Sequence, residues 1–445
     1  MIFWKRIFVL SILSLISFPA SAWELHTLLA QPVFSSMEEV ASAENVVVTS
    51  LQEFLVLAEL ELEETLKAEE EWAIKNLDFY APLPDSLAFR ASNDEETVRR
   101  RFIEAIRMNP EAKLIPYLQL TPGTAVDSLP ILVPEQVTPL KENSVFYNVV
   151  FVELTLGQKI DPLSVLGSAT HEPDLGLDIG LFEDNGTEWG QRYGMGTQPF
   201  GDAKLEYSSQ APIHMGLYHE AALINMVAPF VKRCYPEYRI HLYKTLSELA
   251  FRLGHDYWGW RFMGWGLHYL GDLSQPYHAN ALPGVGTFKM IVMNVMDMMG
   301  RSRMKDEAIQ LISNRHMAIE LLERQLLERA YLENDMDYLH IQTLSAARTI
   351  PHYVDSFPRE VIAKKSHSRA HQLDKTIARN FPAQLVSDPN YELVNFAEKN
   401  ELLDVINKSG NPEALQNLEL ELNEILIDVS VYGRSYARSI LSKNR

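Results

Sequence analysis

Four long stretches of this chain repeat apolar residues at three- and four-residue steps, and that periodicity specifies amphipathic helices. They run over about 37–76, 214–282, 304–344 and 412–441. In the last, Leu418, Leu420, Leu422, Ile425 and Ile427 are the core candidates. The acidic run Glu69-Glu70-Glu71 reads as a solvated helix face. Between Phe79 and Gln210 the texture changes to frequent Pro, Gly and Asp, which predicts long irregular loops inserted around 79–210. Val145 to Leu154 is apolar enough for either a helix or a strand. Neither an internal repeat nor a low-complexity linker divides the chain, so the expectation is all-α, one mainly helical domain over 23–445.

The first 22 residues differ from the rest. Lys5 and Arg6 precede an apolar run from Ile7 to Phe18 and a small-residue exit at Ala20-Ser21-Ala22, the pattern of a secretory signal peptide. A membrane anchor is the alternative, but a run of about 12 apolar residues falls short of the roughly 20 that span a bilayer. Cleavage after Ala22 would leave Trp23 first, with a free α-amino group, in a secreted or periplasmic monomer.

The formal charge of −19 disfavours broad electrostatic capture of nucleic acid. Bound metal ions would nonetheless supply the positive charge that a phosphate substrate needs. Cys234 stands alone, which excludes an intrachain disulfide and a thiolate metal cluster. It reads as a packed thiol, because no Cys-His-Asn arrangement accompanies it.

Chemistry concentrates in Gly266-Leu267-His268-Tyr269-Leu270-Gly271-Asp272-Leu273-Ser274-Gln275-Pro276-Tyr277-His278. On a helix, His268 and Asp272 share a face and are able to hold one ion together. Pro276 then stops the helix and frees His278 to turn toward a neighbouring position. His316 and Glu320 repeat the four-residue step, although such a pair is more often a surface pair. His241, His255, His340, His352, His367 and His371 have no ligand-spaced partners and default to hydrogen-bonding or surface roles.

His-Tyr-Leu-Gly-Asp followed by Gln-Pro and His resembles the central zinc motif of bacterial zinc-dependent phospholipases C and, more loosely, of fungal single-strand-specific nucleases. The likeness is dense over 255–281 and sparse elsewhere. It implies three zinc ions in an all-α phospholipase C/nuclease-type domain. Carried over by residue, the first ion takes Asp174, His214, His268 and Asp272, and the second takes His278, His316 and Glu320. The third takes Trp23 and His26, with Asp272 bridging to the first. Asp174 and His214 have close competitors in Asp178, His171 and His219. Asp174 is also implied to orient or deprotonate the attacking water. The interval from His26 to Asp174 exceeds that of a compact bacterial phospholipase C, which implies loop additions around a shared metal core.

This resemblance implies a metal-dependent phosphodiesterase, foremost a phospholipase C that degrades glycerophospholipids such as phosphatidylcholine and touches the membrane surface transiently. The motif spelling, Glu320 rather than Asp, and the lack of disulfides favour it over a nuclease. A secreted nuclease or nucleotidase is the alternative, with nucleic acid as substrate and Tyr257, Trp258, Trp260 and Trp265 as rings for base stacking, although rings around a helix are more often core. A non-enzymatic helical protein with structural zinc is the third reading. The Met-rich run 288–299 suits a lipid-contacting surface, but a buried helix with Met as filler is the simpler assignment.

Overall fold

The computed structural model describes residues 25–141, 148–408 and 411–443. Trp23 and the 1–22 segment lie outside the described residues. The architecture is mainly helical. The helices used below are α1 (His26–Ser35), α2 (Glu59–Asn76), α3 (Pro162–Ala169), α4 (Pro236–Arg252), α5 (Asp256–Ser274), α6 (Thr287–Met298), α7 (Arg303–Leu332), α8 (Lys364–Asn380) and α9 (Pro412–Leu441).

Helix α5 is the axle. Every residue from Tyr257 to Ser274 is buried, as expected of a helix that is apolar nearly all round. It packs against α3, α4 and α9. Two glycines permit the close approach: a Cβ on Gly264 would stand 2.5 Å from the Cβ of Ala169 on α3, and one on Gly266 would stand 1.9 Å from the hydroxyl of Tyr436 on α9. One large apolar cluster reaches from Leu25 to Leu441 and joins the first and last described helices.

The 79–210 interval is more ordered than its Pro and Gly content suggests. It holds α3, a helix at Val98–Ala105 and a three-stranded antiparallel sheet in which Val150–Glu153 lies between Tyr117–Leu120 and Ile131–Leu132. Residues 150–153 of the ambiguous apolar run are therefore strand, with Leu118 opposite Val152 and Phe151 edge-on to Tyr117.

Three other expectations need correction. Glu69 on α2 is buried against His241 and Thr245, and Glu70 accepts from the Tyr80 hydroxyl and the Leu83 amide, so only Glu71 of that run is solvated. On α9, Leu418, Leu422 and Ile425 are buried as expected, but Leu420 is exposed, Ile427 is half-buried, and Leu426 takes a core place. In α6 only Met290 and Met293 are buried, so methionine is not filling a core along its length. No helix among the described residues is long and apolar enough to cross a membrane.

Candidate metal centre

His26 opens α1, and Asp174 sits on a short 3-10 turn, Glu172–Leu175. Burial of Glu172 against Arg261 and Trp265 of α5 fixes that turn. Gly176, at φ 96°, closes it in the left-handed region that favours glycine. His214 ends the short helix Ala211–His214. His268 and Asp272 stand one turn apart on α5, while His316 and Glu320 repeat that step on α7. Pro276 starts a new short helix, Pro276–Ala279, capped by the Gln275 side chain. His278 is thereby turned back, and its ring and its peptide clasp the His214 segment: Nδ1 donates to the His214 carbonyl at 3.1 Å, and Gly216 N donates to the His278 carbonyl at 2.8 Å.

The described ligand candidates converge. Ligand atoms of His26, Asp174 and His268 lie within 4.8 Å of one another, as do those of His214, His268 and Asp272, and those of His278, His316 and Glu320. All eight residues are buried. Asp272 spans two of these groups: Oδ1 is 3.2 Å from His26 Nε2, and Oδ2 is 2.8 Å from His214 Nδ1 and 3.4 Å from His268 Nε2. Asp174 lies 3.6 Å from His268, 3.9 Å from His214 and 3.9 Å from His26. In the remaining group His316 Nε2 stands 2.6 Å from Glu320 Oε1, and the His278 and His316 rings lie 5.0 Å apart.

Outer contacts select which ring nitrogen faces inward. His268 Nδ1 donates to the Thr170 carbonyl at 2.9 Å, leaving Nε2 toward the carboxylates. His214 presents Nε2 to Asp178 at 3.3 Å and Nδ1 to Asp272. Asp178 is in turn held by Arg239 at 2.7 Å and by the Tyr269 hydroxyl. Such outer partners set the tautomer and basicity of metal-binding imidazoles.

The electrostatics call for a cation. Among the described residues no lysine or arginine pairs with Asp174 or Asp272, and neither Asp174 oxygen nor His278 Nε2 has a hydrogen-bond partner. Burying unpaired carboxylates is costly without a compensating positive charge. Burial, with Asp272 and Glu320 nearby, pushes Asp174 well above the usual carboxylate range despite His214. Burial acts in the same sense on Asp272, but His268, His214 and His26 hold it well below that range. Burial drives His278 and His316 down to about 3, which keeps them neutral, the state that binds metal. His214 rises to about 10: burial lowers it, but hydrogen bonds to Asp178 and Asp272 and the charge of Asp174 prevail. A divalent ion among these carboxylates would compete with that proton. The donor set of imidazole and carboxylate, with buried atoms lacking partners, therefore fits metal ions.

Of the competitors, Asp178 lies outside the three groups and orients His214. His171 is buried beside the first group, 3.8 Å from Asp174. His219 turns away, with Nε2 on the Arg359 carbonyl. Gln275 Nε2 donates to Glu320 at 3.3 Å, a contact that only the Gln-Pro in the motif hinted at. Tyr257, Trp258, Trp260 and Trp265 are core residues and offer no stacking platform. The Cys234 thiol donates to the Val231 carbonyl, and burial pushes it up to about 12.

No family model matches this chain, and no curated protein or solved structure matches it.

Proposed function

We propose that this protein is an exported zinc-dependent phosphodiesterase of the phospholipase C type. It hydrolyses a glycerophospholipid such as phosphatidylcholine to diacylglycerol and a phosphorylated head group. The observation that carries this reading is the buried convergence of five imidazoles and three carboxylates from six separate segments, with Asp272 facing two groups at once. Nitrogen and oxygen donors without sulfur suit zinc in a catalytic role.

His26, Asp174, His214, His268 and Asp272 would hold ions on one side, and His278, His316 and Glu320 on the other. Zinc bound there supplies Lewis acidity toward phosphoryl oxygens and lowers the pKa of water toward neutrality. Asp174, with two unbonded oxygens, orients the attacking water and accepts its proton. The water oxygen bonds to phosphorus, the bond to the diacylglycerol oxygen breaks, and that alkoxide takes a proton from solvent. Asp178, the Thr170 carbonyl and the His214 carbonyl keep the ligand nitrogens aimed throughout.

Metal analysis of the mature protein, paired with hydrolysis of phosphatidylcholine, phosphatidylethanolamine, sphingomyelin and single-stranded DNA, tests the reading. Zinc content with lipid turnover is the expected result. DNA cleavage without lipid turnover replaces it with the nuclease reading, and bound zinc without any hydrolysis replaces it with a structural metal site.

A further inference from the structure

Helix α6 has two apolar stripes, and one faces outward. Met290 and Met293 turn inward, whereas Phe288, Val295 and Met299 are 79%, 44% and 64% exposed, with Val292 half-buried between them. A helix on a water-facing surface normally carries polar residues there. A second outward pair, Leu223 at 43% and Met226 at 75%, lies on the short helix Ala222–Val227. The two segments are joined where Glu220 Oε1 accepts from Ala281 N at 2.8 Å. Each follows a ligand of the centre, His214 for one and His278 for the other, so the exposed side chains border the chain that builds the site.

Their charge runs against that of the whole protein. Over 281–307, Lys289, Arg301, Arg303 and Lys305 stand against Asp297, Asp306 and Glu307; Lys305 holds Asp297 at 2.8 Å and Glu307 holds Arg303 at 2.6 Å, which leaves Lys289 and Arg301 as the exposed cations outside those pairs. Over 221–233, Lys232 and Arg233 have no acidic residue beside them, in a chain of net charge −19. Exposed apolar side chains flanked by cations match an anionic lipid interface, where the apolar groups enter the acyl boundary and the cations meet head groups. The apolar cavity behind His26, lined by Leu29, Val33, Phe34 and Leu267, measures about 30 Å³, enough for a water but not for an acyl chain.

We propose that the outer face of α6, with Leu223 and Met226, seats the protein on an anionic phospholipid surface beside the metal centre. This rests on the lipid-hydrolase reading above and names how that substrate is approached. The test is sedimentation of the full-length, zinc-loaded protein with vesicles of phosphatidylcholine alone and of phosphatidylcholine mixed with phosphatidylglycerol. Each sample is also assayed on a short-chain phosphatidylcholine kept monomeric in solution.

The protein should sediment with the mixed vesicles more strongly than with the neutral ones. A Phe288→Ser/Val295→Ser/Met299→Ser variant should bind about tenfold or more weakly, since three apolar anchors are removed. Its rate on the monomeric lipid should not change. A Lys289→Glu/Arg301→Glu variant, altered only at exposed charges, should lose the preference for anionic vesicles. A control Leu57→Ser/Leu60→Ser variant, equally exposed but outside both segments, should bind as the parent does. Unchanged vesicle binding by the triple variant overturns the proposal, as does a parent dimer that the triple variant makes monomeric without affecting vesicle binding. Vesicle binding through α6 with no turnover of any lipid sinks the hydrolase reading while the docking face stands. Turnover of monomeric lipid with no vesicle binding does the reverse.

Discussion

His26 Nε2 lies 3.2 Å from Asp272 Oδ1, so the first described helix is tied to the central one through the candidate metal centre. The other oxygen of Asp272 faces His214 and His268. Replacing Asp272 with Asn should remove metal and activity together while leaving the helices in place. Elemental analysis, circular dichroism and lipid turnover check this. The loss of rate should reach on the order of a thousandfold, because charge stabilisation at phosphorus goes with the ions. Parental zinc content in Asp272→Asn would falsify the bridging role.

Asp178 acts on the centre through His214. Asp178→Asn should weaken zinc binding about 10- to 100-fold, the usual effect of losing a carboxylate behind a metal-binding imidazole. Titration against a competing chelator reads this directly. Equal affinity in variant and parent would show that Asp178 serves only Arg239 and Tyr269.

His241 gives a pH signature away from the metal. Burial lowers its pKa, but Asp355 and Glu69 more than offset that and raise it to about 9. The imidazolium therefore stabilises the fold fully below its ordinary value of about 6.5, and that contribution fades as pH rises through about 9. Thermal melts should show His241→Gln to be less stable than the parent at pH 6 by on the order of 2 kcal/mol, with the gap shrinking by pH 10. A constant gap across that range contradicts the ion pairing.

Cys234→Ser should retain lipid hydrolysis within about twofold, because the thiol is packed and only weakly hydrogen-bonded. Abolished turnover in a folded, zinc-loaded Cys234→Ser protein would overturn a thiol-independent mechanism.

Gly266→Ala tests the helix contact behind the site. A methyl there would meet the Tyr436 hydroxyl, so melts should show a loss of about 1–3 kcal/mol, the range for overpacking a core. An unshifted midpoint would mean that α5 and α9 separate more readily than their fit suggests.

Local patterns in the sequence carried the helices well. α9 spans Pro412–Leu441 as its periodicity predicts, since Pro at its first turn and a sustained apolar face are both local signals. The four-residue steps of His268/Asp272 and His316/Glu320 were legible for the same reason. Glu69 was misread because its partner, His241, lies 172 residues away and no window contains both. Likewise, Asp178 differs from Asp174 only in what surrounds it: Arg239 comes from α4, and tertiary packing alone decides which carboxylate is neutralised. The strand at 150–153 depended on pairing with 117–120, a long-range choice that a short apolar run leaves open.

The spread of the ligands along the chain has a consequence for biogenesis. Residues 26 and 320 must meet before the centre can close. During vectorial synthesis, His26, Asp174 and His214 emerge well before α7, and their pull on a cation cannot become a complete cage until Glu320 has arrived. Metal loading of such a centre would thus be a late event that follows delivery of nearly three-quarters of the polypeptide. Ions captured earlier by the incomplete set would exchange freely, so under the metal-dependent reading the compartment where the chain finishes folding would decide which ion the centre keeps.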